Sequence, residues 1–178
     1  VWAWAPITGD VQSSLTSMAT DLPGEHDNVH IAVGSPHLGP AGFRASHLEA
    51  IRTRRVIELS GRAAPSITAF TDVALVDVIS QDLDAARAFV ADQLGDLARD
   101  DAKERGERAA LLAVLDAQGS LTTAARTLGI HKNTVLQRMR RAEERRGRPA
   151  TVKIAELHAA LLVCSVLGNA VLPDSSPH

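Results

Sequence analysis

Two periods divide this chain. Up to about residue 70, short runs alternating with period two are interleaved with stretches at helical spacing; beyond it only the helical period persists. "VWAWAPI" alternates large and small apolar residues and reads as a strand, ended by Pro6 and a Thr8–Gly9 turn. Val11, Leu15, Met18 and Leu22 recur at helical spacing behind Asp10, a suitable N-cap. After the loop "GEHDN", "VHIAVG" is a short strand with Val29, Ile31 and Val33 on one face. A longer helix over about 41–59, closed by Gly61, leads to a third strand candidate, "SITAF". This β-α-β-α-β order argues for a small α/β layer.

After Phe70 the strands stop. "DVALVDVIS", "DLDAARAFVADQLGDLARD" and "AKERGERAALLAVLDAQ" all read as helices with acidic or polar starts. Composition shifts at Gly95 and the following "RDDAKERGER", which reads as a domain boundary or a charged bridging helix. The expected class is α+β and mostly helical: a small α/β domain over 1–98, without a catalytic motif, then an all-α domain over 99–172 and a disordered tail over 173–178.

Within the second domain, residues 107–146 read as three helices. The first ends at Gly119, and Ser120 is an N-cap for the second, whose Leu121, Ala124, Ala125 and Leu128 form one buried stripe. Small alanines there permit a close helix crossing. Gly129 supplies the left-handed residue of a sharp turn, and Ile130 anchors that turn in the core. On the third helix, from about His131 to Arg146, Val135, Leu136, Met139 and Ala142 share a face. Asn133, Thr134, Gln137 and Arg141 lie opposite, with Lys132, Arg138 and Arg140 on the flanks. An Ala-rich helix, a glycine turn and an amphipathic basic helix together make a helix-turn-helix, whose last helix is expected in the DNA major groove.

Charge sharpens that reading. The formal net charge is -2, yet residues 120–148 carry eight Lys/Arg against two Glu, while residues 1–119 carry 10 Lys/Arg against 17 Asp/Glu. A basic segment on an acidic body is a local footprint for a polyanion. Base reading falls to Asn133, Thr134, Gln137 and Arg141, since amides pair with adenine edges and guanidinium with guanine. Phosphate contacts are expected from Lys132, Arg138, Arg140, Arg145, Arg146 and Arg148, and from Ser120, Thr122 and Thr123 at the start of the second helix. Cys164 stands alone in the apolar run "LLVCSVL", which excludes an internal disulfide and points to a small buried hydrophobe. With no signal peptide and no bilayer-length apolar run, the expectation is a cytoplasmic protein; the absence of an initiator Met points to a piece of something longer.

These residues also resemble a known family. "LLAVLDAQGSLTTAARTLGIHKNTVLQRMRRAEERRGRP", with "HKNTV" and "RM" at the recognition helix, looks like the PucR/CdaR-type transcriptional regulators, and "VKIAELHAALLV" looks like their closing helix. Upstream, "VHIAVGSPHLGPAGFRASHLEAI" is similar to the second half of the degenerate GGDEF-like domain that precedes it. The resemblance implies a ferredoxin/GGDEF-like first domain cut mid-fold, and a bacterial regulator bound to double-stranded DNA as a homodimer or higher oligomer. A separate N-terminal sensor would be missing here. The sequence departs from the pattern in two places: the GGDEF signature itself is absent, and His131 stands where many helix-turn-helix proteins carry Ser or Thr.

Two other classes compete. A metal-dependent enzyme could use His26, Asp27, His30 and His37, but "EHDNVH" straddles a loop and a strand start and no Glu lies between its histidines. A catalytically degenerate nucleotide- or ligand-binding or oligomerisation module fits the acidic body with Trp2 and Trp4. The expectation is no catalytic residue, no cofactor, no bound metal and no membrane.

Overall fold

The computed structural model describes Trp2, Trp4, residues 30–61 and residues 66–173. Apart from the two tryptophans, the strand and helix expected over the first 22 residues lie outside the described residues, as do His26, Asp27 and the tail from residue 174. The chain divides into two compact units, residues 1–77 and 78–178.

In the first unit, β1 (Ile31–Val33) and β2 (Ile67–Ala69) pair in parallel, with Ile31 opposite Ile67 and Val33 opposite Ala69. Parallel neighbours need a long crossover, which α1 (Gly39–Ser60) supplies. Gly34, at the end of β1, permits the close approach of α1, since a Cβ there would lie 2.0 Å from the Ser46 carbonyl oxygen. Glu49 of α1 then holds the connecting loop: it accepts a hydrogen bond from the Ser35 N–H at 2.7 Å and lies 3.0 Å from His37 Nε2. Burial pushes the Glu49 carboxyl up, but its bonds to Ser35 and His37 outweigh this and hold its pKa below the usual value. On the same helix Trp4 stacks on Phe43, with centroids 5.2 Å apart, and Trp2 meets the His47 ring edge-on at 4.6 Å. From β2 the chain runs directly into α2 (Phe70–Ile79), whose buried Asp77 lies 3.4 Å from Arg55 of α1.

The second unit is all helix among its described residues: α3 (Leu83–Leu94), a 3-10 turn (Gly95–Ala98), α4 (Ala102–Asp116), α5 (Leu121–Leu128), α6 (Lys132–Arg146), α7 (Ile154–Leu167) and a 3-10 turn (Gly168–Ala170). Side chains cap the starts: Asp82 accepts from Asp84 and Ala85 N–H groups, and Asp101 from those of Lys103 and Glu104. The core gathers Val90 and Leu94 of α3, Leu111 of α4, and Leu157, Ala160 and Leu161 of α7, all within 1% of complete burial. Each such Val or Leu contributes about 1.5–3 kcal/mol through burial.

The compact units part between Asp77 and Val78, some twenty residues before the compositional change near Gly95. The physical reason lies in the 3-10 turn. Leu97 and Ala98 are buried, and the Arg108 guanidinium reaches back from α4 to donate to the Leu97 and Arg99 carbonyls at 2.7 and 2.6 Å. A segment that reads as a domain boundary or a charged bridging helix is a packed corner leading into α4, its arginine and carbonyls satisfying one another.

Candidate nucleic-acid interface

The interface is built on α5, the turn and α6. Ser120 caps α5: its Oγ accepts from the Thr123 N–H at 3.2 Å and donates to Thr123 Oγ1 at 3.0 Å. Gly129 ends α5 in the left-handed region at φ 63°, and the next N–H, of Ile130, returns to the Ala125 carbonyl at 3.1 Å. His131 then caps α6, its Nδ1 accepting from the Asn133 N–H at 3.2 Å. An imidazole lone pair thus does what a Ser or Thr oxygen ordinarily does at this position.

Beneath the turn, Ala110, Ala113 and Val114 of α4, Ala124 and Ala125 of α5, and Val135 of α6 form a buried cluster. Leu121, Leu128, Ile130 and Met139 pack against it, partly buried. Four of its six central residues are alanine, so the three helices can cross closely; a longer side chain at Ala124, fully buried, would force strain of about 1–3 kcal/mol.

With that face of α6 fixed, the opposite face is solvent-exposed. Asn133, Gln137 and Arg141 are exposed at successive four-residue steps, a ridge about 12 Å long at 1.5 Å per residue. Lys132 and Arg140 are exposed beside it, and Thr134 is half-buried. On α5, Thr122 and Arg126 are exposed, whereas Thr123 is half-buried in the capping exchange with Ser120.

Several side chains stand elsewhere than the sequence reading puts them. Arg145 turns inward and pairs with Glu104 and Glu107 of α4, the latter at 2.8 Å between Nε and Oε2. Arg146, 5% exposed, donates to the carbonyls of Gln93, Pro149 and Val152 at 2.8, 2.7 and 2.9 Å. Arg148 donates to the Asp92 carbonyl. These three arginines are therefore internal partners of backbone and carboxylate groups rather than free phosphate contacts. Burial pulls the pKa of Arg146, like that of Arg108, below the usual arginine range. Ser120 has its hydroxyl engaged in the cap, and Gly129, grouped in sequence with the residues that hold the motif together, is exposed at the turn in the left-handed backbone expected of it.

Arg138 is half-buried over α4, where a Cβ on Gly106 would sit 3.5 Å from its Nη1. Glu104, Gly106 and Glu107 were missed as partners of the basic helix. Their signal was present: Glu104 and Glu107 fall in phase with Leu111 and Val114, on the buried stripe of α4.

Residues 108–163 match the family model of the PucR C-terminal helix-turn-helix domain. The second unit carries a PucR-type helix-turn-helix domain. That domain points to DNA-binding transcription regulation, and its matched span takes in α5, the turn, α6 and most of α7. Residues 1–56 match a GGDEF-like domain, so the pair of matches agrees with the PucR/CdaR-type resemblance seen in the sequence. No curated protein and no solved structure gives a significant match. No described helix is long and apolar enough to cross a membrane. Among the described residues no three His, Cys, Asp or Glu side chains are grouped to hold a metal ion, and His37 faces Glu49.

Proposed function

We propose that this chain is a sequence-specific regulator of transcription that reads double-stranded DNA by placing α6 in the major groove, acting by binding rather than by catalysis. The observation that carries the reading is the exposed ridge of Asn133, Gln137 and Arg141 on a helix whose other face is packed against α4 and α5. Amide and guanidinium groups on a rigid, groove-sized helix are the chemistry that distinguishes base edges. Lys132 and Arg140 flank the ridge and supply phosphate contacts, as do Arg126 and Thr122 from α5. Binding as a homodimer would set two such helices about 34–36 Å apart on successive major grooves.

The test is fluorescence anisotropy with a duplex selected by the full chain from a random pool, against a scrambled duplex, over a range of salt. Asn133→Ala should remove roughly 10- to 100-fold of preference, about 1–3 kcal/mol, at one base position. Arg140→Ala should weaken both duplexes alike and flatten the salt slope by about 0.9. Selection that enriches no sequence, with binding equal on every duplex, would refute base reading.

A further inference from the structure

Besides the buried Arg146, two arginines of the basic helix turn toward α4, which is shaped to receive them. Positions 138 and 145 are two turns apart on α6, within about 20° of each other around its axis. Arg138 lies over Gly106, and Arg145 pairs with Glu104 and Glu107, on either side of that glycine. Both glutamate side chains are almost fully buried, at 3% and 2% exposure. Glu104 Oε2 and both Glu107 oxygens accept no hydrogen bond among the described residues. Two buried carboxylates with so few donors are costly unless a cation stands against them. Arg145, itself only a quarter exposed, is that cation.

The consequence is directional. An apolar stripe alone tolerates rotation of a helix about its own axis, because methyl and methylene contacts are non-directional. A guanidinium held between two buried carboxylates does not, since a small rotation would withdraw the cation and strand both charges. The same helix carries Asn133, Gln137 and Arg141, the last of them one turn before Arg145, so rotation about its axis sets which base edges they meet.

We propose that Arg145, with Glu104 and Glu107, is a positioning lock that fixes the rotational setting of the recognition helix and thereby its base discrimination, without itself touching DNA. This rests on the DNA-reading function above and names further residues on which that reading depends.

The experiment compares full-length wild type, Arg145→Met, and the triple variant Glu104→Met, Glu107→Met, Arg145→Met on the selected and scrambled duplexes across salt, with urea midpoints for each. Arg145→Met alone should unfold at lower urea, with its carboxylates unpaired. The triple variant should regain most of that midpoint, since buried ion clusters can be replaced by apolar groups of similar volume. It should keep the wild-type salt slope, yet lose three- to tenfold of its preference for the selected duplex. A slope flatter by about 0.9 would put Arg145 on a phosphate and overturn the lock. So would an unchanged preference at an unchanged slope, because the cluster would then be merely structural. If the triple variant does not fold, Arg145→Lys decides. Its point charge cannot span both carboxylates, so preference should fall at constant slope, and full retention of preference overturns the proposal. Wild type without any preference sinks the DNA reading and this inference with it, a result visible before any variant is made.

Discussion

Arg146 at the end of the recognition helix offers the sharpest test of the packing logic. Replacing it by Met keeps an apolar stem of similar reach and removes three charged N–H donors. The acceptors left behind are not equivalent. Gln93 belongs to a residue 3% exposed, so its carbonyl becomes a buried acceptor without a donor, at about 1–3 kcal/mol. Pro149 and Val152 are exposed residues whose carbonyls water can reach, so their loss costs less, about 0.5–1 kcal/mol each. Relief from burying the guanidinium, whose pKa is lowered chiefly by desolvation, offsets part of this. The net expectation is a loss of about 2–4 kcal/mol, or roughly 5–15 °C in Tm for a chain of this size.

Urea unfolding followed by circular dichroism at 222 nm measures that loss, and thiol labelling at Cys164 reports the helical unit separately from the first unit. Arg146→Lys should recover only a fraction, because one ammonium cannot reach three carbonyls set around a planar fork. A loss below about 0.5 kcal/mol for Arg146→Met, well under the net expectation above, together with a flatter salt dependence of DNA binding, would refute the reasoning. The side chain would then be serving phosphates, and the end of α6 would not be clamped to the end of α3.

Cys164 is 6% exposed and burial pushes its pKa up to about 12, with Arg108 acting in the opposite direction. In the native state at pH 8 it should react with a disulfide reagent at least roughly 100-fold more slowly than in guanidinium, where the thiolate forms freely. Rapid native labelling would mean that α7 does not bury this face. Glu49 gives a pH test of the first unit. Its folded pKa is depressed, so its contribution is complete above the unfolded value near 4.3 and disappears as pH falls through the folded one. Glu49→Gln should therefore speed exchange of the Ser35 amide at neutral pH, and the difference from wild type should close as pH falls through the depressed folded pKa. A gap that persists unchanged until the unit itself unfolds in acid would remove the carboxylate from the account.

The parts of this protein legible in its sequence are those governed by local rules. The turn between α5 and α6 was readable because Ser120, the alanine pair and Gly129 each answer a local demand: a cap, a close crossing and a left-handed backbone. The short strand pair was readable from apolar alternation between glycine and proline signals, and among the described residues the pairing runs over Ile31–Val33 and Ile67–Ala69. What was not legible depends on partners far along the chain. Arg146 bonds a carbonyl 53 residues away, and Arg145 meets carboxylates on another helix. Periodicity alone puts Arg146 in phase with Val135, Met139 and Ala142 on the core face, but nothing in the run "EERRGR" names the carbonyls or carboxylates its arginines meet. His131 was ambiguous for another reason: histidine caps through a ring nitrogen, so residue-type preferences tuned to Ser, Thr, Asp and Asn pass over it.

That difference alters how the basic segment should behave in salt. Counted from the sequence, residues 120–148 hold eight cations, and if every one neutralised a phosphate the affinity would fall with a slope of about -7 per bound chain. Three of the eight, Arg145, Arg146 and Arg148, are held by carboxylates or carbonyls within the helical unit. Arg126, Lys132, Arg140 and Arg141 are exposed, and Arg138 is half-buried over Gly106. Arg141 belongs to the base-reading ridge, so three to four cations are left for the backbone and the slope should be near -3 per chain, about double for a dimer. Measured between roughly 50 and 200 mM salt, a slope near -7 per chain would require the inward arginines to swing out on binding. A slope near -3 fits a helix whose end is already committed to the protein, with affinity restrained so that Asn133, Gln137 and Arg141 can decide where it rests.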